Sequence, residues 1–343
     1  MITPRERLLN VLRKTEVDRP PCICPGGMMN MIVRDVMMIT GAKWPEAHVD
    51  AEKMADLTEG IYNNGGFENF GVPFCMTVEA ESMGAQVFMG TDITEPRVTE
   101  YPIKSVSEWR QLTNMDVTKG RAKVVLDAIS ILKKRNPDVP VIGNLTGPVS
   151  LASSLVEPMD YYKEIRRKPK EAAEFMDFVA DNLIVFGKAQ IEAGADIIAI
   201  SDPSGTGEIL GPKMFSEFAA TYINKVLSAL KPLAKGGTIV HICGRLKSVY
   251  KELNELQSDA ISFDSITSVK EVIENVKDKA IMGNLSTLAI EKNNSDSVKN
   301  LGRVCIRQGV DILSPACGIG ARTPLDNIRA MVEAAKEGAQ GDK

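Results

Sequence analysis

The chain has 343 residues, of which 44% are apolar and 25% charged, the balance of an ordinary globular protein and too apolar for a disordered one. Its net charge of −4 comes from 41 basic and 45 acidic residues scattered along the chain, and the absence of a basic stripe interleaved with aromatics argues against nucleic acid as a partner. No apolar run reaches transmembrane length, and residues 1–14 are charged where a secretory signal needs an apolar core, so a cytoplasmic protein with no membrane association is expected.

In chain order, residues 4–14 carry Leu8, Leu9, Val11 and Leu12 among polar neighbours and predict an amphipathic opening helix. A short first strand is expected around Cys22-Ile23-Cys24, with Pro25-Gly26-Gly27 leading into a helix over residues 28–38. The methionines of that segment, Met28, Met29, Met31, Met37 and Met38, read as plastic core rather than a docking surface. Residues 51–64 predict a helix and 71–75 a strand. Residues 85–89 and 97–103, joined through Gly90-Thr91-Asp92, predict an antiparallel excursion. From there strands are expected at 139–145, 196–201, 238–244, 260–264, 279–284 and 311–315. They alternate with helices at 124–134, 169–194, 212–230, 246–256, 269–276, 295–308 and 324–337, and residues 337–343 read as a polar tail. About eight buried strands alternating with helices predict an α/β fold, a (β/α)8 TIM barrel in one domain over residues 1–343 with a small N-terminal helical and antiparallel elaboration. A doubly wound open sheet is the alternative, but neither a Gly-x-Gly-x-x-Gly fingerprint nor a Walker-type lysine loop is present.

The chemistry concentrates in Thr238-Ile239-Val240-His241-Ile242-Cys243-Gly244. The chain has two histidines, and this stretch sets His241 two residues from Cys243, on one face of a strand. A later apolar strand ends at Ser314-Pro315-Ala316-Cys317-Gly318, at the same C-terminal end of the barrel. One imidazole and two thiolates suit Zn2+ and leave a fourth position for an exchangeable ligand. The bland alternative is three unrelated core residues. Asn144, Asp202, Asp264 and Asn284 also fall near strand ends and are candidate mouth residues. For Asn144 and Asp202 a substrate-orienting role stands beside turn and cap bonding. The N–H groups of Gly26 and Gly27 could cradle an anion, or simply make a turn. Cys22 and Cys24 share a strand face but read as small core residues, and His48 reads as structural or as an edge of the site.

At His241-Ile242-Cys243-Gly244 and Pro315-Ala316-Cys317-Gly318-Ile319 the sequence resembles the methylcobalamin:coenzyme M methyltransferases of the uroporphyrinogen decarboxylase superfamily. The likeness extends through Trp44-Pro45-Glu46-Ala47-His48, Glu81-Ser82-Met83-Gly84, Val141-Ile142-Gly143-Asn144, Glu192-Ala193-Gly194-Ala195-Asp196 and Thr323-Pro324-Leu325-Asp326-Asn327-Ile328. The resemblance implies a zinc-dependent methyltransferase of one-carbon metabolism and methanogenesis. His241, Cys243 and Cys317 would bind the metal, and Asp264, where relatives can carry glutamate, would complete the resting site or, its side chain being shorter, cap its strand-to-helix turn. It further implies a corrinoid, methylcobalamin or its protein-bound form, as methyl donor and a thiol such as coenzyme M as acceptor. No Asp-x-His-x-x-Gly corrinoid-binding motif occurs here, so the corrinoid is expected on a separate protein. Alternatives on the same scaffold are a methyl-donor:corrinoid or methylcorrinoid:tetrahydrofolate methyltransferase and a non-catalytic docking module for the corrinoid protein. Decarboxylation is disfavoured. The loop after Pro21 has no arginine before Arg34, and Phe74-Cys75-Met76-Thr77 lacks the aspartate of the decarboxylases.

Overall fold

A computed structural model describes residues 2–338; the expected tail lies mostly outside the described residues. Among the described residues nine strands occur: β1 (Phe70–Val72), β2 (Gln86–Phe88), β3 (Arg97–Glu100), β4 (Val141–Thr146), β5 (Ile197–Ser201), β6 (Thr238–Ile242), β7 (Ala260–Phe263), β8 (Ala280–Leu285) and β9 (Ile312–Pro315). Seven of them form one parallel sheet in the order β1-β4-β5-β6-β7-β8-β9, and β2 pairs with β3 as a separate antiparallel hairpin. Residues 21–24 join the two edges of the sheet. Cys22 bridges Leu313 in parallel, Ile23 N–H donates to Leu313 O and Leu313 N–H to Pro21 O. On the other side Glu68 N–H donates to Cys22 O, and Asn69 exchanges two side-chain bonds with the backbone of Cys24. The expected eight-stave barrel with its hairpin elaboration is therefore the observed architecture.

Every barrel strand is buried along its length, as a parallel sheet covered by helices requires. The sequence marks the helix ends plainly. Thr3 and Glu6 form a capping box on Pro4–Leu12. Pro169–Ala193 starts with proline at its first position and ends at Gly194 in the left-handed region.

Three expectations need correction. Helix formation in the methionine-rich segment begins at Arg34, not at 28, and runs to Thr40. Gly26 and Gly27 hold positive φ, and residues 29–33 are all buried, so the segment crosses the barrel end as extended chain with no solvent face to give it a helical period. The helix expected over 212–230 is three pieces: Gly207–Met214, kinked where Gly211 takes φ 69°, a π-helical turn Phe215–Ala220, and Thr221–Leu230. Two helices absent from the sequence reading, Pro148–Leu155 and Pro158–Arg167, follow β4 with a proline opening each.

Candidate functional site

Parallel pairing of β6 with β7 sets His241 beside Ser262, and pairing of β5 with β6 sets Ser201 beside His241. In register, neighbouring parallel residues point to the same side, and the His241 ring, only 1% exposed, meets the Ser262 hydroxyl at Nδ1, 2.9 Å away. The other ring nitrogen, Nε2, lies 3.2 Å from Cys243 Sγ. Cys317, on the loop after β9, completes the group, and the donor atoms of His241, Cys243 and Cys317 all lie within 4.8 Å of one another. Both thiols are partly exposed, so the cluster has a buried imidazole floor and an open side.

The two thiols behave as one unit. A hydrogen bond from Cys243, with His241 beside it, draws Cys317 down to about 4, and the same bond pushes Cys243 up. The pair therefore gives up its first proton readily and its second with difficulty. The donor set fits a soft or borderline divalent ion. The sulfurs converge, Ser262 fixes the imidazole orientation, and the partly exposed side leaves room for a fourth ligand.

Asp264 stands apart from the three. Its Oδ1 accepts from Ile266 N–H at 3.1 Å and from the Ser265 hydroxyl, while Oδ2 takes a long 3.4 Å bond from Gly244 N–H. In this geometry it caps its own turn and ties it to the loop of Cys243. Asn144 and Asp202 are also struts, and neither belongs to the group formed by His241, Cys243 and Cys317. Asn144 Nδ2 donates to Pro25 O and Val72 O, holding the end of residues 21–24, the first stave of the barrel, against β1. Asp202, fully buried, accepts from the N–H groups of Val149, Ser150 and Gly205 and from the Ser150 hydroxyl. Burial raises its pKa against those bonds. The anion cradle at Gly26 and Gly27 is taken up internally, since Gly26 N–H donates to Met29 O and Gly27 N–H to Pro73 O. Cys24 donates its thiol to Met29 O at 3.1 Å, and burial pushes its pKa up, so it stays a protonated core group. His48 is buried between Trp44 and Phe74.

Two residues beside the cluster are not singled out as site residues in the sequence, Met28 reading there as plastic core. Met28 Sδ sits 3.5 Å from Cys317 Sγ. Glu95, on the connection between β2 and β3, is raised to about 8 by burial and by the charge at Cys317. Neither sits in a strand or at a telling spacing; only the fold brings them in.

The profile of the uroporphyrinogen decarboxylase family (URO-D) matches residues 3–338. The chain belongs to this family. Within the uroporphyrinogen decarboxylase family its relatives include the methylcobamide:CoM methyltransferase MtbA of Methanosarcina acetivorans, 35% identical over 97% of this chain and 98% of that protein. The methylcobamide:CoM methyltransferase MtaA of Methanosarcina barkeri is 32% identical over 98% of both. These two place the chain with the methylcobamide:CoM methyltransferase group of the family. Among solved structures, a methyltransferase from Methanosarcina mazei superposes with a TM-score of 0.91 at 31% identity, covering 98% of this chain and 99% of that one. No helix among the described residues is long and apolar enough to cross a membrane.

Proposed function

We propose that this protein moves a methyl group from a methylated corrinoid to a small thiol, coenzyme M being the acceptor that its relatives' names point to, with a zinc ion held by His241, Cys243 and Cys317. The convergence of those three donor atoms within 4.8 Å at the C-terminal end of the barrel carries the reading. Zinc held by these three residues would supply Lewis acidity that lowers the pKa of a thiol beside it.

The protein's own groups do the rest. Ser262 holds His241 by Nδ1, leaving Nε2 toward the sulfurs. Asp264, through Gly244 and Ile266, fixes the turns that carry Cys243 and the neighbouring loop. The buried imidazole and the packed first stave keep water off one side, so the thiol sulfur meets its partner only from the open side. There the sulfur attacks the methyl carbon in line; the new carbon–sulfur bond forms as the carbon–cobalt bond breaks, and its electron pair stays with the corrinoid cobalt. A corrinoid macrocycle approaches such a site from outside, on a separate carrier protein. Ile209, Ile266 and Leu288, on the segments that follow β5, β7 and β8, are 46%, 51% and 66% exposed and give that carrier an apolar rim to rest on.

The test is metal content of the purified protein beside Cys243→Ala and Cys317→Ala, followed by demethylation of methylcobalamin with coenzyme M, tetrahydrofolate or homocysteine as acceptor. One zinc in the wild type, lost in both variants along with thiol-dependent turnover, is the expected result. A metal-free wild type that still turns over, or variants that retain the metal, overturns the assignment.

A further inference from the structure

The three-residue cluster leaves one donor unexplained. The thioether of Met28 lies 3.5 Å from Cys317 Sγ, at the partly exposed end of the group. Two sulfur donors each about 2.3 Å from one tetrahedral metal stand about 3.8 Å apart, so the Met28 and Cys317 sulfurs already have the spacing of ligands that share an ion. His241 Nε2 and Cys243 Sγ, 3.2 Å apart, have the comparable nitrogen–sulfur spacing.

The backbones that carry the two sulfurs are held together. Asn30 O accepts from Ile319 N–H at 2.9 Å, and Asn30 Nδ2 donates to Ile319 O at 2.9 Å. Gly318 lets the two segments meet, because a Cβ there would stand 2.4 Å from Met28 O and 2.9 Å from Asn30 N. The residue after Cys317 is thus pressed against Met28 itself. Asp264, the carboxylate that sequence reasoning offers as a fourth ligand, is engaged in its turn.

Resting on the zinc-thiolate reading above, we propose that Met28 Sδ is the fourth, exchangeable donor of the resting site and occupies the place that the substrate thiol takes over. A thioether is neutral and a weak ligand for a borderline ion. With one imidazole and two thiolates it leaves the site uncharged, and it yields to an incoming thiol that releases its proton to solvent as it binds. Met is unbranched and flexible enough to swing aside without moving the chain. The loop over residues 26–31 then acts as a placeholder that keeps water and stray anions from the open position until a thiol arrives.

The experiment is zinc-edge X-ray absorption on the full-length protein, as purified and with coenzyme M added. Wild type, Met28→Leu and selenomethionine-labelled wild type are compared, with Cys243→Ala as the control for the site. Wild type should show three sulfurs and one nitrogen, the labelled protein a zinc–selenium path that vanishes when coenzyme M is added, and Met28→Leu two sulfurs with a light atom in place of the third. Removing the competitor should tighten coenzyme M binding to Met28→Leu about three- to tenfold by calorimetry. The labelled wild type needs no substitution, so misfolding of the variant cannot produce a false answer. Zinc bound with no selenium path, and the same sulfur count in wild type and Met28→Leu, overturns the role of Met28 while leaving the zinc site standing. A wild type that binds no zinc overturns both.

Discussion

His48 offers the sharpest test of the packing around Trp44 and Phe74. It is 1% exposed, sits against Trp44 with ring centroids 5.0 Å apart, and neither ring nitrogen has a hydrogen-bond partner. Burial, helped by the Arg121 guanidinium nearby, lowers its pKa to about 3. In the unfolded chain the same imidazole titrates near 6.5. Above that value both states are neutral and stability is unaffected. As pH falls below it the unfolded chain takes up a proton that the native protein refuses, and native stability drops by about 1.4 kcal/mol per pH unit, reaching roughly 3 kcal/mol by pH 4. His48→Phe removes the titrating group, keeps an aromatic ring between Trp44 and Phe74, and deletes two unsatisfied nitrogens whose burial costs roughly 1–3 kcal/mol each before any repacking strain is subtracted. Urea denaturation of both proteins at half-unit steps from pH 7.5 to pH 4 reads the difference directly. The variant should match or exceed wild type at pH 7.5, and the gap in its favour should widen by roughly 3 kcal/mol at pH 4. Stability curves that run parallel across this range would falsify the buried, neutral assignment, because other acid-titrating groups are common to both proteins and cancel in the comparison.

Four further outcomes follow from the site and its supports. Ser262→Ala, which frees His241 Nδ1, should leave the fold intact and weaken zinc affinity about 10- to 100-fold in a chelator competition assay. Asp264→Ala should retain one zinc per chain and lose about 1 kcal/mol of stability in denaturant titration, as loss of a turn cap does and loss of a metal ligand does not. Gly318→Ala, whose Cβ would stand 2.4 Å from Met28 O, should cost about 1–3 kcal/mol and, by parting residues 28–30 from 317–319, make Cys317 react faster with a thiol reagent. Asp202→Asn leaves a buried network of four donors facing an amide and should lower stability by roughly 2–4 kcal/mol without changing metal stoichiometry, measured by calorimetry and metal analysis.

What the sequence discloses here depends on whether a feature is written in local spacing or in tertiary register. His241 and Cys243 are legible because alternation along a strand places i and i+2 on one face, and Cys317 because it closes another apolar run at the same end of the barrel. Ser262 lies inside an apolar strand with no mark of function. Its partnership with His241 exists only because β6 and β7 pair with those residues abreast, and no residue type announces register between parallel strands separated by a helix. Asn144 and Asp202 are open to two readings, and the structure shows the turn and cap bonding of the second. Both are polar residues near strand ends, which is where chemistry resides in a barrel, yet closing eight staves leaves backbone groups at the mouth that need partners, and these side chains meet that need. Residues 28–33 show why a contiguous apolar run is ambiguous. A helix reveals itself by the polar face it keeps in water, whereas a segment laid across the barrel end and covered almost throughout keeps no such face, so its period disappears and the residue it delivers to the cluster, Met28, looks like one more core methionine. The same physics separates the reliable from the unreliable parts of the site. Donors on or just past strand ends, His241, Cys243 and Cys317, inherit the regularity of the sheet, while Met28 and Glu95 ride on irregular connections whose positions are set by contacts distant in sequence, such as Asn30 with Ile319. Strand ends therefore mark where the donor atoms gather, while the side chains around them are placed by contacts that no local spacing records.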